Sequence, residues 1–247
     1  MKLNRTIQRQ IQLWVLVLVL YMLSRAWIYH LIPVANFDDW VFRDTVMNVP
    51  RLLGFALIIF MPWYRIGIQS LFSFNGWNRN ITLVTIAVTA LALSRSIFFD
   101  YVPQAPEVFI VLLFSSVAVG LFEETLFRGI IFESVQQLKG TKVAIVASAI
   151  LFMVFHMQAQ SIMQFPLFFA FGLLFGILRS KGTSLLFLVF IHSIYDILVL
   201  FWNIDYESRT AWLSYECFVI ISLCLVISLL YKNRISQVDS IGKKPLW

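Results

Sequence analysis

The sequence predicts an all-α fold, a polytopic membrane helical bundle of about eight transmembrane helices with both termini cytoplasmic. Three observations carry that expectation. Hydrophobic residues fill 60% of the 247 positions, and mean hydropathy is +0.83. Charged residues make up only 13%, whereas a soluble domain carries about 25%, so lipid is the natural solvent for most of the surface. Lys and Arg, finally, sit in short loops and tails between apolar runs, which is a topology signal. The net charge of +6 therefore reads as orientation in a bilayer, and nucleic acid is not an expected partner.

A bilayer span takes about 20 mostly apolar residues. Eight stretches qualify: 11–31, 46–64, 81–99, 107–131, 143–158, 162–179, 183–202 and 211–231. The first follows Lys2, Arg5 and Arg9 and closes on Trp27, Tyr29 and His30. Its near-bilayer length, beyond the shorter apolar core of a signal peptide, and that ending mark an uncleaved span. His30 reads as interfacial. The second is the weakest, since only Leu52 to Trp63 is continuously apolar and Pro62 interrupts it. The fifth is short and the sixth contains Pro166, defects that neighbouring helices or a water-filled cavity absorb. The last holds Cys217 and Cys224, two helical turns and ~10 Å apart, too far for a disulfide.

Eight spans sort the basic residues. Lys2, Arg5, Arg9, Arg65, Arg79, Arg128, Lys139, Lys142, Arg179, Lys181, Lys232, Arg234, Lys243 and Lys244 fall on one side, fourteen in all. Only Arg43, Arg51 and Arg209 fall on the other, with Asp38, Asp39, Asp44, Asp100, Glu107, Asp205 and Glu207. That split places both termini in the cytoplasm. Arg25 and Arg95 lie within spans and read as snorkelling or cross-helix pairing.

Polar residues inside spans four, five and seven form a constellation. Glu123, Glu124 and Arg128 lie on span four, His156 on span five, and His192 with Asp196 on span seven. Side chains four apart share a helix face, so Glu124 can pair with Arg128, Phe152 can pack on His156, and His192 can bond Asp196. Glu123, about 100° around the helix from Glu124, must find its partner elsewhere. Glu124 is fifteen residues from Lys139, His156 fourteen from Lys142, and Asp196 fifteen and His192 eleven from Lys181. Those offsets are ~16–23 Å of helix, so three sequence-distant helices carry their polar groups at similar depth. Taken singly, the ion pair, a lone histidine or a His–Asp clamp each has a structural use. A second adjacent carboxylate has none.

An ionised group in hydrocarbon is costly, so such residues need partners and mark functional sites. Apolar surroundings raise a carboxylate's pKa and a nearby positive charge lowers it. Arg128 can hold Glu124 ionised while Glu123 stays tunable as a general base. A glutamate and a histidine gripping one water can turn it on a peptide carbonyl, with other donors stabilising the oxyanion. Two histidines and a carboxylate, here Glu123, His156 and His192, also make a zinc set. Zn2+ and a metal-free mechanism both stay open. Neither HExxH nor G-x-S-x-G occurs.

The ordered motifs Glu123-Glu124-x-x-x-Arg128, Phe152-x-x-x-His156 and His192-x-x-x-Asp196 resemble those of the CPBP family. These are the CAAX-protease and bacteriocin-processing, or Abi, intramembrane proteases. The resemblance implies three segments: helices one to three in 1–106, the protease core with helices four to seven in 107–202, and the last helix with a basic tail in 203–247. It implies an endopeptidase of the cell membrane acting on a membrane-associated peptide or protein, with a role in bacteriocin maturation or self-immunity. Prenylated CAAX proteins suit the small size and terse loops less well. By the same resemblance Glu123 and His156 activate the water, Glu124 and Arg128 shape the site, and His192 with position 196 binds the oxyanion or a metal. Asp196 stands where prenyl endopeptidases typically have Asn, and an ionised Asp cannot donate to an oxyanion. The rival readings are a non-catalytic immunity or regulatory protein that keeps the motifs as packing, and a proton-coupled transporter. The absence of a second copy of the polar motifs weighs against the transporter.

Overall fold

A computed structural model of the protein describes residues 5–35, 37–60, 79–94, 100–101, 105–156, 164–199, 202–203, 214–225 and 227. Eight helices run through them, one for each predicted span: α1 (Arg5–Leu31), α2 (Phe37–Phe60), α3 (Arg79–Leu93), α4 (Pro106–Lys139), α5 (Thr141–Phe155), α6 (Phe165–Ser180), α7 (Leu185–Val199) and α8 (Ser214–Leu225). Two stretches, Ile7–Leu31 and Pro106–Lys139, are long and apolar enough to cross a membrane, and α5 to α8 are shorter apolar helices. One small departure from an all-helical chain is a pair of two-residue strands, β1 (Asp100–Tyr101) and β2 (Trp202–Asn203), which pair antiparallel. Pro62, Arg95, Arg209 and the basic tail lie outside the described residues.

Helix α4 is the hub. It starts with Pro106 in its first turn, where a missing N–H costs nothing, and Glu107 there suits the positive helix end. It packs against α2 and α7, while α5 and α6 form a tight pair beside it and α1 lies against α2. Small residues permit the closest approaches. A Cβ on Gly172 of α6 would lie 2.7 Å from the Cα of Ala149 on α5, and one on Gly120 of α4 would lie 2.8 Å from Ser193 Oγ on α7. Gly140, between α4 and α5, has φ +83°, a conformation that side chains with a Cβ resist.

Two boundaries correct the sequence reading. Helix α2 begins at Phe37 rather than at 46, so Arg43 and Asp44 are helical residues and not loop charges. Asp38 and Asp39 in its first turn favour a helix start there, and Asp39 Oδ2 accepts the Ala35 N–H at 3.0 Å. Helix α4 runs on past 131 to Lys139. Arg128 is therefore fully buried and does not belong with the cytoplasmic loop cations.

The outer surface is apolar. Trp27, Phe60 and Phe218, from three different helices, are 67%, 76% and 71% exposed. Large apolar side chains presented so freely need a non-aqueous covering, as a helical membrane bundle has.

Candidate active site

Helix α4 brings two adjacent carboxylates to the centre of the bundle and sends them in different directions. Glu124 is completely buried and accepts two charge-assisted contacts on one oxygen. Arg128 Nη1 donates to Glu124 Oε1 at 3.1 Å, and His192 Nδ1 lies 2.7 Å from the same atom. The guanidinium is further held 3.5 Å from the Gly172 carbonyl and sits 4.4 Å from the ring centroid of Phe152. The α4 backbone winds as a π-helix over Thr125–Ile131, and every side chain in that stretch is buried. Such widened turns are rare and cluster at functional sites.

Glu123 turns the other way and is 5% exposed. Its Oε2 lies 3.7 Å from His156 Nε2 and 3.9 Å from His192 Nε2. These separations are too long for direct hydrogen bonds, and Glu123 Oε2 has no hydrogen-bond partner among the described residues. His156 is tightly oriented. Its Nδ1 is 2.8 Å from the Phe152 carbonyl; a carbonyl only accepts, so Nδ1 carries the proton and Nε2 presents a lone pair to Glu123. The imidazole stacks on Phe168 with centroids 4.2 Å apart. His192 differs in one respect from the sequence reading. Its Asp196 contact is 3.5 Å, and its short bond is the one to Glu124.

A cavity of about 580 Å3 opens onto these groups and is lined by Glu123, His156, His192 and Asp196. Glu124 and Arg128 stand behind it and brace His192. The described residues contain no group of three His, Cys, Asp or Glu side chains set to hold a metal ion. Two ligands of a tetrahedral zinc with bonds of ~2.0–2.1 Å sit ~3.4 Å apart, closer than the 3.7 and 3.9 Å found here. The three donors do not form a metal site in this geometry.

Several lining residues were not foreseen. Asp44 and Arg51 of α2 pair at 2.8 Å, Asn48 Oδ1 accepts from Arg51 at 2.9 Å, and Asn48 Nδ2 donates to Ser115 of α4 at 2.7 Å. The spacing 44, 48, 51 is one polar face of a helix, a signal present in the sequence but cut by starting the span at 46, which left Asp44 outside it. Tyr21 of α1 packs on Phe122 and Phe155 with centroids 4.7 and 5.1 Å away, which seats α1 against the site. Arg25 is buried on the cavity wall rather than snorkelling. Tyr195 of α7 donates to the buried Glu216 of α8. His30 is exposed.

Residues 105–198, covering α4 to α6 and nearly all of α7, match the family model described as type II CAAX prenyl endopeptidase Rce1-like. All six predicted site residues fall within that match, and α1, α2, α3 and α8 lie outside it. No curated protein matches the chain.

Proposed function

We propose, for a chain that belongs to the CAAX-protease family through its residues 105–198, that it is an intramembrane endopeptidase whose Glu123 and His156 activate water against a peptide bond. One observation carries this reading: the unpartnered Glu123 Oε2 facing the lone pair of His156 Nε2 across 3.7 Å. A single water making contacts of about 2.8 Å spans that separation, donating one proton toward each acceptor. Its oxygen attacks the carbonyl carbon as Glu123 takes a proton. The protonated Glu123 then delivers that proton to the departing amine as the C–N bond breaks, leaving a carboxylic acid on the other fragment.

The oxyanion of the tetrahedral intermediate needs donors. A charged His192 donates through both ring nitrogens, Nδ1 to Glu124 and Nε2 toward the cavity. The Glu124–Arg128 pair fixes that ring, and Asp196, an acceptor, positions it from the opposite side. The substrate in this reading is a membrane-associated peptide or protein, with bacteriocin maturation or self-immunity as its setting. The protein is multi-pass in the cell membrane, with eight spans, cytoplasmic termini and a core at 107–202.

The test is purified protein in lipid with candidate membrane peptides, wild type against Glu123→Gln, with and without chelator. Cleavage by the wild type that survives chelation and falls at least about 100-fold in Glu123→Gln is the expected result. Full activity in Glu123→Gln removes the general base. Loss of activity on chelation, restored by zinc, assigns the water to a metal instead.

A further inference from the structure

We infer that Arg25 of α1 forms a carboxylate-binding subsite in the cavity that holds Glu123, so that the bound peptide presents a carboxylate to it. The peptide part of this statement rests on the endopeptidase reading. Arg25 itself lies outside the stretch matched by the family.

Arg25 is 7% exposed and lines the same cavity as Glu123 and His156. Its Nη1 donates to the Phe155 carbonyl at 3.4 Å, and its guanidinium carbon lies 5.2 Å from the ring centroid of Tyr29. The first contact caps the last turn of α5, whose end carbonyls lack helical partners. It also fixes the guanidinium beside the residue that precedes His156. A guanidinium has five N–H donors, so most remain for a ligand.

Other shielded arginines have an acid within reach: the fully buried Arg128 has Glu124 at 3.1 Å, and the half-buried Arg51 and Arg179 have Asp44 at 2.8 Å and Glu133 at 2.5 Å. No carboxylate of the described residues forms such a pair with Arg25. The acids that share its cavity are turned elsewhere, Asp44 to Arg51, Asp196 to His192 and Glu123 to the two imidazoles. A buried cation without a counter-ion is strongly unfavourable. A planar fork with free N–H groups is matched to a carboxylate in shape and charge. The cavity therefore supplies a cation that a bound carboxylate neutralises.

Binding to the full-length Glu123→Gln protein in lipid nanodiscs tests this without turnover. One probe pair is dansyl-Leu-Leu-Phe as the free acid and as its terminal amide. A second pair is dansyl-Leu-Asp-Phe amide and dansyl-Leu-Asn-Phe amide. The acid member of at least one pair binds about tenfold more tightly than its neutral partner. Whichever pair shows the preference tells a terminal carboxylate from a side-chain one. Adding Arg25→Gln brings the ratio to about one, and Arg25→Lys keeps part of it. Ratios near one in both pairs with Arg25 present, no binding by either acid, or a preference unchanged by Arg25→Gln would each overturn the subsite. The first two need no Arg25 variant to fold. Cleavage by the wild type without the preference sinks the subsite alone, and the preference in a protein that cleaves nothing sinks only the endopeptidase reading.

Discussion

At the scale of single residues, Glu123 and Glu124 are neighbours in sequence with opposite circumstances. Glu124 is sealed between Arg128 and His192, whereas Glu123 Oε2 has no partner among the described residues. Removing one member of a buried ion pair strands the other charge, at about 3–5 kcal/mol. Arg128→Met or Glu124→Gln alone should therefore lower unfolding stability in detergent by that order, and the double variant should recover part of the loss. Glu123→Gln should leave stability within about 1 kcal/mol, because its imidazole contacts are long and His192 keeps its short bond to Glu124. A Glu123→Gln protein as unstable as Arg128→Met would contradict that division. The sequence spacing made Glu124–Arg128 legible, since four residues is a helix-face neighbour. It also set His192 beside Asp196, 3.5 Å away in the structure, but a helix-internal spacing says nothing about the shorter bond that tertiary packing makes to Glu124.

At the scale of helices, all eight were legible from apolar length, while two of their ends were not. The start of α2 carries Asp38, Asp39, Arg43 and Asp44, and charges so close together read as a loop when only hydropathy is weighed. They are helical because Asp44, Asn48 and Arg51 satisfy one another along one face. The far end of α4 was lost for a similar reason, since Glu133 finds Arg179 of α6. Packing between α5 and α6 is the element-level test. Gly172→Leu puts a Cβ 2.7 Å from the backbone of Ala149, so the helices must separate, and overpacking of this kind costs about 1–3 kcal/mol. Thermal unfolding should register that loss. Proteolysis should fall with it, because α5 carries His156 and the Gly172 carbonyl contacts Arg128. Unchanged melting would show that the two helices are not held at this separation.

For the whole molecule, composition alone pointed to lipid, and the exposed Trp27, Phe60 and Phe218 agree with it. Convergence of three helices on one cavity was inferred from similar depths. What depth could not supply was the contribution of α1 and α2, because Arg25 read as snorkelling or pairing across helices and Arg51 as a cation of the outer side, while tertiary structure sets both on the cavity wall. The proposed orientation has its own check. In a background with Cys217→Ser and Cys224→Ser, single cysteines at Lys2→Cys and at Lys244→Cys should both react with a membrane-impermeant maleimide in inside-out vesicles and not in intact cells. Labelling of either terminus from outside would reverse or break the eight-span arrangement.

The π-helical turns of Thr125–Ile131 set a phase offset between the two ends of α4. Rewinding those residues as α-helix, with none removed, would swing everything beyond them by about 100°. Ser134 would leave Gln10 and Glu133 would leave Arg179, while both glutamates upstream kept their bearing. The half of this helix that carries both glutamates and its anchoring half are thus joined by a single-codon tolerance, and the bearing of the cavity's carboxylates depends on where that slack is stored.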